Sequence, residues 1–171
     1  EGWGNQELQY YTTRAENVSV DGGGRLVITA RAESQGSPYV CWYGACRYTS
    51  ARLKTKGRFE QTYGRFEARI RIPRGQGIWP AFWMLGGGNW PNDGEIDIME
   101  HVGFVPCVVH ASVHTKRYHH SIGTQKTGKI VVEDAQSAFR VYAVEWDATR
   151  IRWFVDDREY FSFANEGAGK D

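Results

Sequence analysis

Hydrophobic and polar residues alternate along most of this chain, and Gly, Pro, Asn and Asp break the alternation at short intervals. Because successive side chains of a strand point to opposite faces, alternation predicts β-strands with one buried face. The clearest such run is 65–72, which stops at Pro73. Its core-facing positions are predicted to be Phe66, Ala68, Ile70 and Ile72. No segment of any length has the 3.6-residue period of an amphipathic helix.

The same pattern and its interruptions predict the remaining elements. Strands are predicted over 26–30, 59–63, 78–85, 108–115, 139–146, 150–155 and 159–163. Residues 39–50 are predicted to form an aromatic loop or a short strand with an insertion, and 116–128 a polar loop. The turn residues 147–149 predict that the strands on either side of them pair as a hairpin. Many short strands joined by turns predict an all-β fold, an antiparallel β-sandwich or jelly roll.

The amino-acid composition narrows the classes of binding partner that we expect. A chain of 171 residues can bury a substantial core, and no linker, repeat or low-complexity segment divides 1–171, so we expect a single domain. The net charge of +1 gives no electrostatic reason to expect nucleic acid or a membrane surface. No apolar run reaches transmembrane length. Aromatic residues make up 14% of the chain, which suits sugar rings, although core packing is the default for any single Trp.

The three cysteines leave two alternatives open. Cys41 and Cys46 flank a four-residue aromatic segment and either close a short disulfide loop in an oxidising compartment or stay free. Cys107 stands apart, and because the sequence has no second cysteine pair at metal spacing, we do not expect a zinc site.

Segment 94–100 carries the strongest chemical signal, because Glu95, Asp97 and Glu100 are interleaved with Ile and Met. In a strand, Glu95 and Asp97 share one face, but Glu100 would point to the other. One β-bulge at or near Met99 brings Glu100 back to the face of the other carboxylates. A solvated acidic face is the alternative, but unpaired charge on a buried strand would be costly, so an active-site cleft explains the segment better.

The spacing also predicts a reaction class. With the bulge, the two Glu Cα atoms are about four strand steps apart, roughly 13 Å. Two Glu side chains that lean toward each other leave roughly 5 Å between carboxyl groups, the separation of a retaining glycosidase. One Glu would attack the anomeric carbon, and the other would donate a proton and later activate water. Asp97 would hold their orientation, and because three close carboxylates cannot all ionise cheaply, one should have a raised pKa.

Other candidates have plainer alternatives. Trp79 and Trp83 share a face with Ala81 and are a sugar platform or core residues, while Ile78, Phe82 and Met84 supply the opposite face. Glu67 and Arg69 lie on an outward face and either contact substrate or form exposed salt bridges. His114 shares a face with His110 and Ser112, and it either reaches a sugar hydroxyl, lies on the surface, or binds metal with His110 and His119 or His120.

Segment 95–100 resembles the active-site motif of glycoside hydrolase family 16, and the Met before Glu100 matches the family's bulged branch. Segments 3–12, 63–69 and 79–85 resemble the laminarinase branch, the endo-β-1,3-glucanases. The resemblance covers essentially the whole chain. It implies a concanavalin A-like jelly roll with a concave substrate cleft, and a secreted, extracellular enzyme that acts as a monomer on β-glucan polysaccharides or oligosaccharides.

The resemblance also implies roles for single residues. Glu95 would be the nucleophile, Asp97 its assistant and Glu100 the acid/base. The substrate-binding set would be Asn5, Glu67, Arg69, Trp79, Trp83 and His114, with Trp90 as a further candidate. No metal and no cofactor are implied for the chemistry.

Two features depart from the family. The strands that usually precede 3–12 and follow 159–163 are missing, so we expect a fragment or another segment in their place. A structural calcium ion stays open, because terminal segments often hold it in the family. The 41–46 segment resembles a loop addition near one end of the cleft.

Other functions remain as alternatives to hydrolysis of β-1,3-glucan, which would include the mixed-linkage β-1,3-1,4 polymer. The first is a non-catalytic β-glucan recognition module, although relatives of that kind have lost the catalytic carboxylates that this chain keeps. The second is hydrolysis of a galactan of the agar type, whose enzymes carry a similar bulged motif, although segment 3–12 fits laminarinases better.

Overall fold

The alternating segments form fifteen strands in the computed structural model, which describes residues 5–167. The chain divides into two compact units, Glu1–Glu60 and Gln61–Asp171. Trp3 and Gly4, which belong to the first laminarinase-like segment, lie outside the described residues. A single domain over 1–171 stays a prediction.

The first unit contains short strands. They are β1 (Gln9–Tyr11), β2 (Val18–Val20), β3 (Leu26–Ile28), β4 (Arg31–Ala32), β5 (Val40–Cys41), β6 (Gly44–Ala45) and β7 (Tyr48–Ser50). They pair as β1-β7-β4, β2-β3 and β5-β6. A disulfide joins Cys41 to Cys46 across the β5-β6 turn, so the open question about these two cysteines resolves to the bridge.

The second unit is built from two four-stranded antiparallel sheets. Its strands are β8 (Gly64–Ile70), β9 (Ala81–Leu85), β10 (Glu95–Glu100), β11 (Val108–His114), β12 (Lys126–Val131), β13 (Arg140–Trp146), β14 (Arg150–Val155) and β15 (Arg158–Ala164). The first sheet has the order β12-β11-β10-β9 and the second the order β15-β14-β13-β8. A single 3-10 turn, His120–Ile122, is the only helical element of residues 5–167, and no helix there could cross a membrane.

The inner faces of these two sheets share one hydrophobic cluster. Its fully buried members include Ile98, Met99, Val109, Val144 and Trp153. One face of each sheet therefore packs inward and the other is left for solvent or ligand, as the alternating pattern predicted. The all-β antiparallel fold is confirmed.

Three element predictions need correction. Residues 59–63 form no strand, and Tyr63 has a φ of 64°, which an extended strand does not allow. The strand predicted from 78 begins only at Ala81, after Pro80. The predicted loop 116–128 runs into β12, which begins at Lys126.

Strand β12 was not predicted because Ile130 is the only hydrophobic residue on its inward face. Gly128 is on that face, and a Cβ there would lie 2.3 Å from Cγ of Phe161 on β15. The close approach of β12 to β15 therefore requires glycine, and glycine in a short polar segment reads as a turn.

Candidate active site

Strand β10 places its three carboxylates on the outer face of the first sheet. Toward β11, Asp97 is opposite Ser112 and Glu100 is opposite His110, so β10 has one residue more than its partner between these pairs. The same shift occurs toward β9. The extra residue lets both Ile98 and Met99 face the core, where each is 1% exposed. The bulge predicted at or near Met99 is confirmed.

The carboxylates form a connected cluster. Asp97 is only 3% exposed, shares a side-chain hydrogen bond with Glu95, and has Oδ2 3.2 Å from Nε2 of His114. This burial contradicts a solvated acidic face. His114 is directly opposite Glu95 in the β10-β11 register, so the structure brings it to the carboxylates, and its contact with substrate stays a prediction.

Each glutamate also receives a hydrogen bond from an indole. Nε1 of Trp79 donates to Oε1 of Glu100 over 2.9 Å. The side chain of Trp90 hydrogen-bonds to Glu95. The two indoles therefore fix the two carboxylates separately.

Burial and mutual repulsion shift the protonation of the cluster. Burial first, and then the charge of Asp97, raises the pKa of Glu95 to about 7. Burial first, and then the charge of Glu100, raises the pKa of Asp97 to about 8. Burial also raises the pKa of Glu100, against the indole N–H of Trp79, which lowers it. Because the three groups share one water-poor site, the cluster retains at least one proton at neutral pH.

His114 is neutral in this setting. Burial lowers its pKa, although the charges of Glu95 and Glu100 act in the opposite direction. A neutral imidazole can donate from Nε2 to Asp97, whereas its Nδ1 has no hydrogen-bond partner within the described residues.

Aromatic side chains surround the Glu95 end of the site. Trp90 follows the glycine-rich loop before β10, and its ring centroid is 6.0 Å from that of His114, 5.4 Å from that of His119 and 4.9 Å from that of His120. The sequence suggested Trp90 only through family resemblance. Its contact with Glu95 had no local signal, because the two residues meet through a loop.

The Glu100 end opens into a pocket of about 290 Å³. Its lining residues are Trp79, Glu100, Val102, His110, Ser112, Gln125, Thr127 and Lys129. Trp79 is 53% exposed, which excludes the core alternative for this residue. Trp83 is directly opposite Asp97, and its neighbours Phe82 and Met84 pack on the core as predicted.

The remaining predicted residues lie elsewhere. Glu67 and Arg69 are on the outward face of the second sheet, not in the carboxylate cluster. Glu67 accepts a hydrogen bond from Nε of Arg65, and the guanidinium of Arg69 lies 4.8 Å from the ring centroid of Phe139. Asn5 is exposed in the first unit. Their contact with substrate stays a prediction.

Sequence reasoning missed the pocket residues contributed by β12 and the segment before it. Gln125 and Thr127 fall in the segment 116–128 that was predicted as a loop, and Lys129 directly follows it. The alternation of Thr127, Lys129 and Val131 was the only available signal, and it is short.

The described residues contain one group of donors close enough to hold a metal ion. Glu95, Asp97 and His114 offer ligand atoms within 4.8 Å of one another. The same atoms form the hydrogen bonds of the carboxylate cluster, so hydrogen bonding accounts for the arrangement without an ion.

A buried carboxylate cluster on a sheet face, flanked by tryptophans, is an arrangement typical of glycoside hydrolases. The model of the family "Glycosyl hydrolases family 16" matches residues 5–171, and this chain belongs to that family.

Relatives and solved structures agree with this assignment. A Beta-glucanase of Rhodothermus marinus is 56% identical, over 96% of this chain and 57% of its own. The solved laminarinase from Rhodothermus marinus is 54% identical with a TM-score of 0.86, over 96% of this chain and 65% of its own. SCLam, a non-specific endo-beta-1,3(4)-glucanase from family GH16, is 41% identical with a TM-score of 0.90, over 98% of this chain and 63% of its own. This chain thus spans less than two thirds of each of them.

Proposed function

We propose that this protein hydrolyses internal β-1,3 bonds of glucans with retention of anomeric configuration. The observation that carries the proposal is the bulge in β10, which puts Glu95 and Glu100 on one face with Asp97 between them. The names of the relatives, a laminarinase and an endo-β-1,3(4)-glucanase, support β-1,3-glucan as substrate, with the mixed-linkage polymer as a second one.

In the first step, the Glu95 carboxylate attacks the anomeric carbon while the bond to the leaving oxygen breaks. Glu100 gives its proton to that oxygen, so the leaving sugar departs as a neutral alcohol. The raised pKa of Glu100 suits an acid that must be protonated at the start.

In the second step, Glu100 takes a proton from water, and the water oxygen attacks the anomeric carbon and releases Glu95. Asp97 holds the proton that it shares with Glu95, which lets Glu95 be the anionic partner when it attacks. Two displacements at one carbon restore the original configuration.

Two further properties belong to the proposal. The Cys41–Cys46 disulfide supports a secreted, extracellular protein, because such bridges persist in oxidising compartments. The chemistry uses carboxylates alone and requires no cofactor, and we expect the protein to act as a monomer. Trp79, Trp83, Trp90 and His114 would contact the sugar.

The test compares laminarin, lichenan and agarose under identical conditions. We expect oligosaccharides from laminarin, with the β-anomer appearing first by proton NMR. Cleavage of agarose alone would replace the proposal with a galactan hydrolase. Binding without release of products would favour the recognition module.

The two glutamates can then be separated by rescue. Glu95→Ala with added azide should give an α-glycosyl azide, because only one displacement occurs. Glu100→Ala with azide and an activated aryl glycoside should give the β-glycosyl azide, because two displacements remain. The opposite pattern would reverse the two roles.

A further inference from the structure

The pocket beside Glu100 extends across the first sheet, from β10 to β12. His110 on β11 is directly opposite Glu100, and Lys129 on β12 is directly opposite His110. Since neighbouring strands are about 4.8 Å apart, the Lys129 backbone lies roughly 10 Å from that of Glu100. The pocket therefore runs from the carboxylate cluster to the edge strand of the first sheet.

The position of the pocket identifies which part of a substrate it would hold. Glu100 lines it and Glu95 does not. Under the proposed function, Glu100 protonates the oxygen of the leaving sugar, so the leaving sugar lies next to Glu100. A volume of about 290 Å³ is at the lower end of the range for small-molecule sites.

The charge of the pocket is unusual for a site that holds a neutral sugar. Lys129 is exposed. Its side chain forms no ion pair with any of residues 5–167. Burial, and then the charge of Lys129, lowers the pKa of His110, so His110 is neutral and Lys129 carries the positive charge. Glu100 is the only carboxylic acid in the lining.

We propose that this pocket receives a leaving-group sugar with an anionic substituent, a carboxylate or a sulfate ester, and that Lys129 is its counter-ion. Gln125 and Thr127 lie on the same wall and can donate hydrogen bonds to the substituent oxygens. The inference rests on the proposed function, because it needs Glu100 to mark the leaving-group side. The plainer alternative is that Lys129 only protects the sheet edge from pairing with another strand.

The experiment uses the protein as it is, with three substrates from one laminarin batch: unmodified, carboxymethylated and sulfated to the same degree. The readout is the ratio of kcat/KM on each anionic substrate to kcat/KM on the neutral one. We expect Lys129→Met to lower this ratio about 2- to 5-fold, the effect of losing an exposed ion pair, and Lys129→Arg to retain it. The loss should shrink in 0.5 M salt, because salt screens an exposed pair.

Lys116→Met is the matched control, since it removes the same charge from an exposed position in the loop after β11. It should leave the ratio unchanged. An unchanged ratio in Lys129→Met, or an equal fall in Lys116→Met, would overturn the inference and leave Lys129 as an edge lysine. A wild-type protein that cuts none of the three substrates would instead overturn the proposed function. A larger effect with the sulfated or with the carboxymethylated substrate would identify which anion the pocket prefers.

Discussion

Trp79 and Trp90 give the two glutamates the same kind of partner from opposite ends of strand β10. An indole N–H can only donate, so it stabilises a carboxylate more than a carboxylic acid. Each tryptophan therefore lowers the pKa of one glutamate, against burial, which raises it. The indole is the largest effect that opposes burial at Glu100, and it is one of two such effects at Glu95.

Replacing each indole by phenyl should move a different limb of the pH profile. Trp90→Phe removes the donor to Glu95 and keeps an aromatic ring beside His120, so the pKa of Glu95 should rise. The acidic limb of kcat/KM should then move to higher pH, with a loss of about 10-fold at low pH. Steady-state kinetics on laminarin across pH measures this.

Trp79→Phe serves as the contrasting variant. It removes the donor to Glu100, so the alkaline limb should move to higher pH while the acidic limb stays in place. If both variants moved the same limb, each glutamate would not have its own indole partner in the working enzyme.

The shared face of the three carboxylates could be predicted from sequence, but the indole partners of the two glutamates could not. The spacing alone required a bulge near Met99, because Glu95 and Glu100 are an odd number of residues apart and would point to opposite faces of a regular strand. The contact of Trp90 with Glu95 depends on how the loop before β10 folds back. No periodicity in the sequence encodes such a contact, since the two side chains meet only in the folded chain.

At the scale of elements, the alternating strands were predictable and β12 was not. Strand β11 shows a clear alternation, with Val109, Ala111 and Val113 buried and His110 outward. Strand β12 presents Gly128 to the interior, where the ring of Phe161 takes the space of a side chain. The reason that Gly128 belongs to a strand and not to a turn is therefore the packing of a residue on β15, far along the chain.

This packing gives a stability prediction. Gly128→Ala should lower the free energy of unfolding by about 1 to 3 kcal/mol, because the added methyl lies 2.3 Å from Phe161 and one strand must shift. Denaturant unfolding measures the loss. Gly87→Ala, where nothing lies within 4 Å of the added methyl, is the matched control and should change stability little.

A second substitution makes the cause testable. In a Phe161→Gly background, Gly128→Ala should cost less, because the Cβ and Cγ atoms that the added methyl meets are gone. Equal costs in both backgrounds would mean that the strain of Gly128→Ala does not come from Phe161.

At the scale of the whole molecule, the buried acids link folding to pH. A carboxyl group with a raised pKa binds its proton more tightly in the folded protein than in the unfolded one. Its contribution to stability is therefore present at low pH and is lost as pH rises through the folded pKa. His114, with a lowered pKa, acts in the opposite sense below its unfolded value of 6.5.

Above pH 6.5 only the carboxyl contribution remains, so the free energy of unfolding should fall between pH 6.5 and 8.5 by about 2 kcal/mol for one proton. Asp97→Asn should flatten this slope, because its pKa of about 8 lies inside the window. Urea unfolding at several pH values measures it.

Asp147→Asn is the control for the pH experiment. Hydrogen bonds from Thr149 lower the pKa of Asp147, so this group is ionised in both states throughout the window. The wild-type slope should persist in it. A slope that Asp97→Asn leaves intact would assign the pH dependence to other groups.

Because each glutamate is paired with an indole, tryptophan fluorescence can also report on the site. Tryptophan emission responds to a nearby change of charge, and the acid of each pair gains or loses a proton beside its own fluorophore. Trp79 and Trp90 are two of seven tryptophans, so the difference spectra of the two phenylalanine variants would isolate their signals. The ionisation of Glu95 and of Glu100 could then be followed separately, in real time and without any substrate.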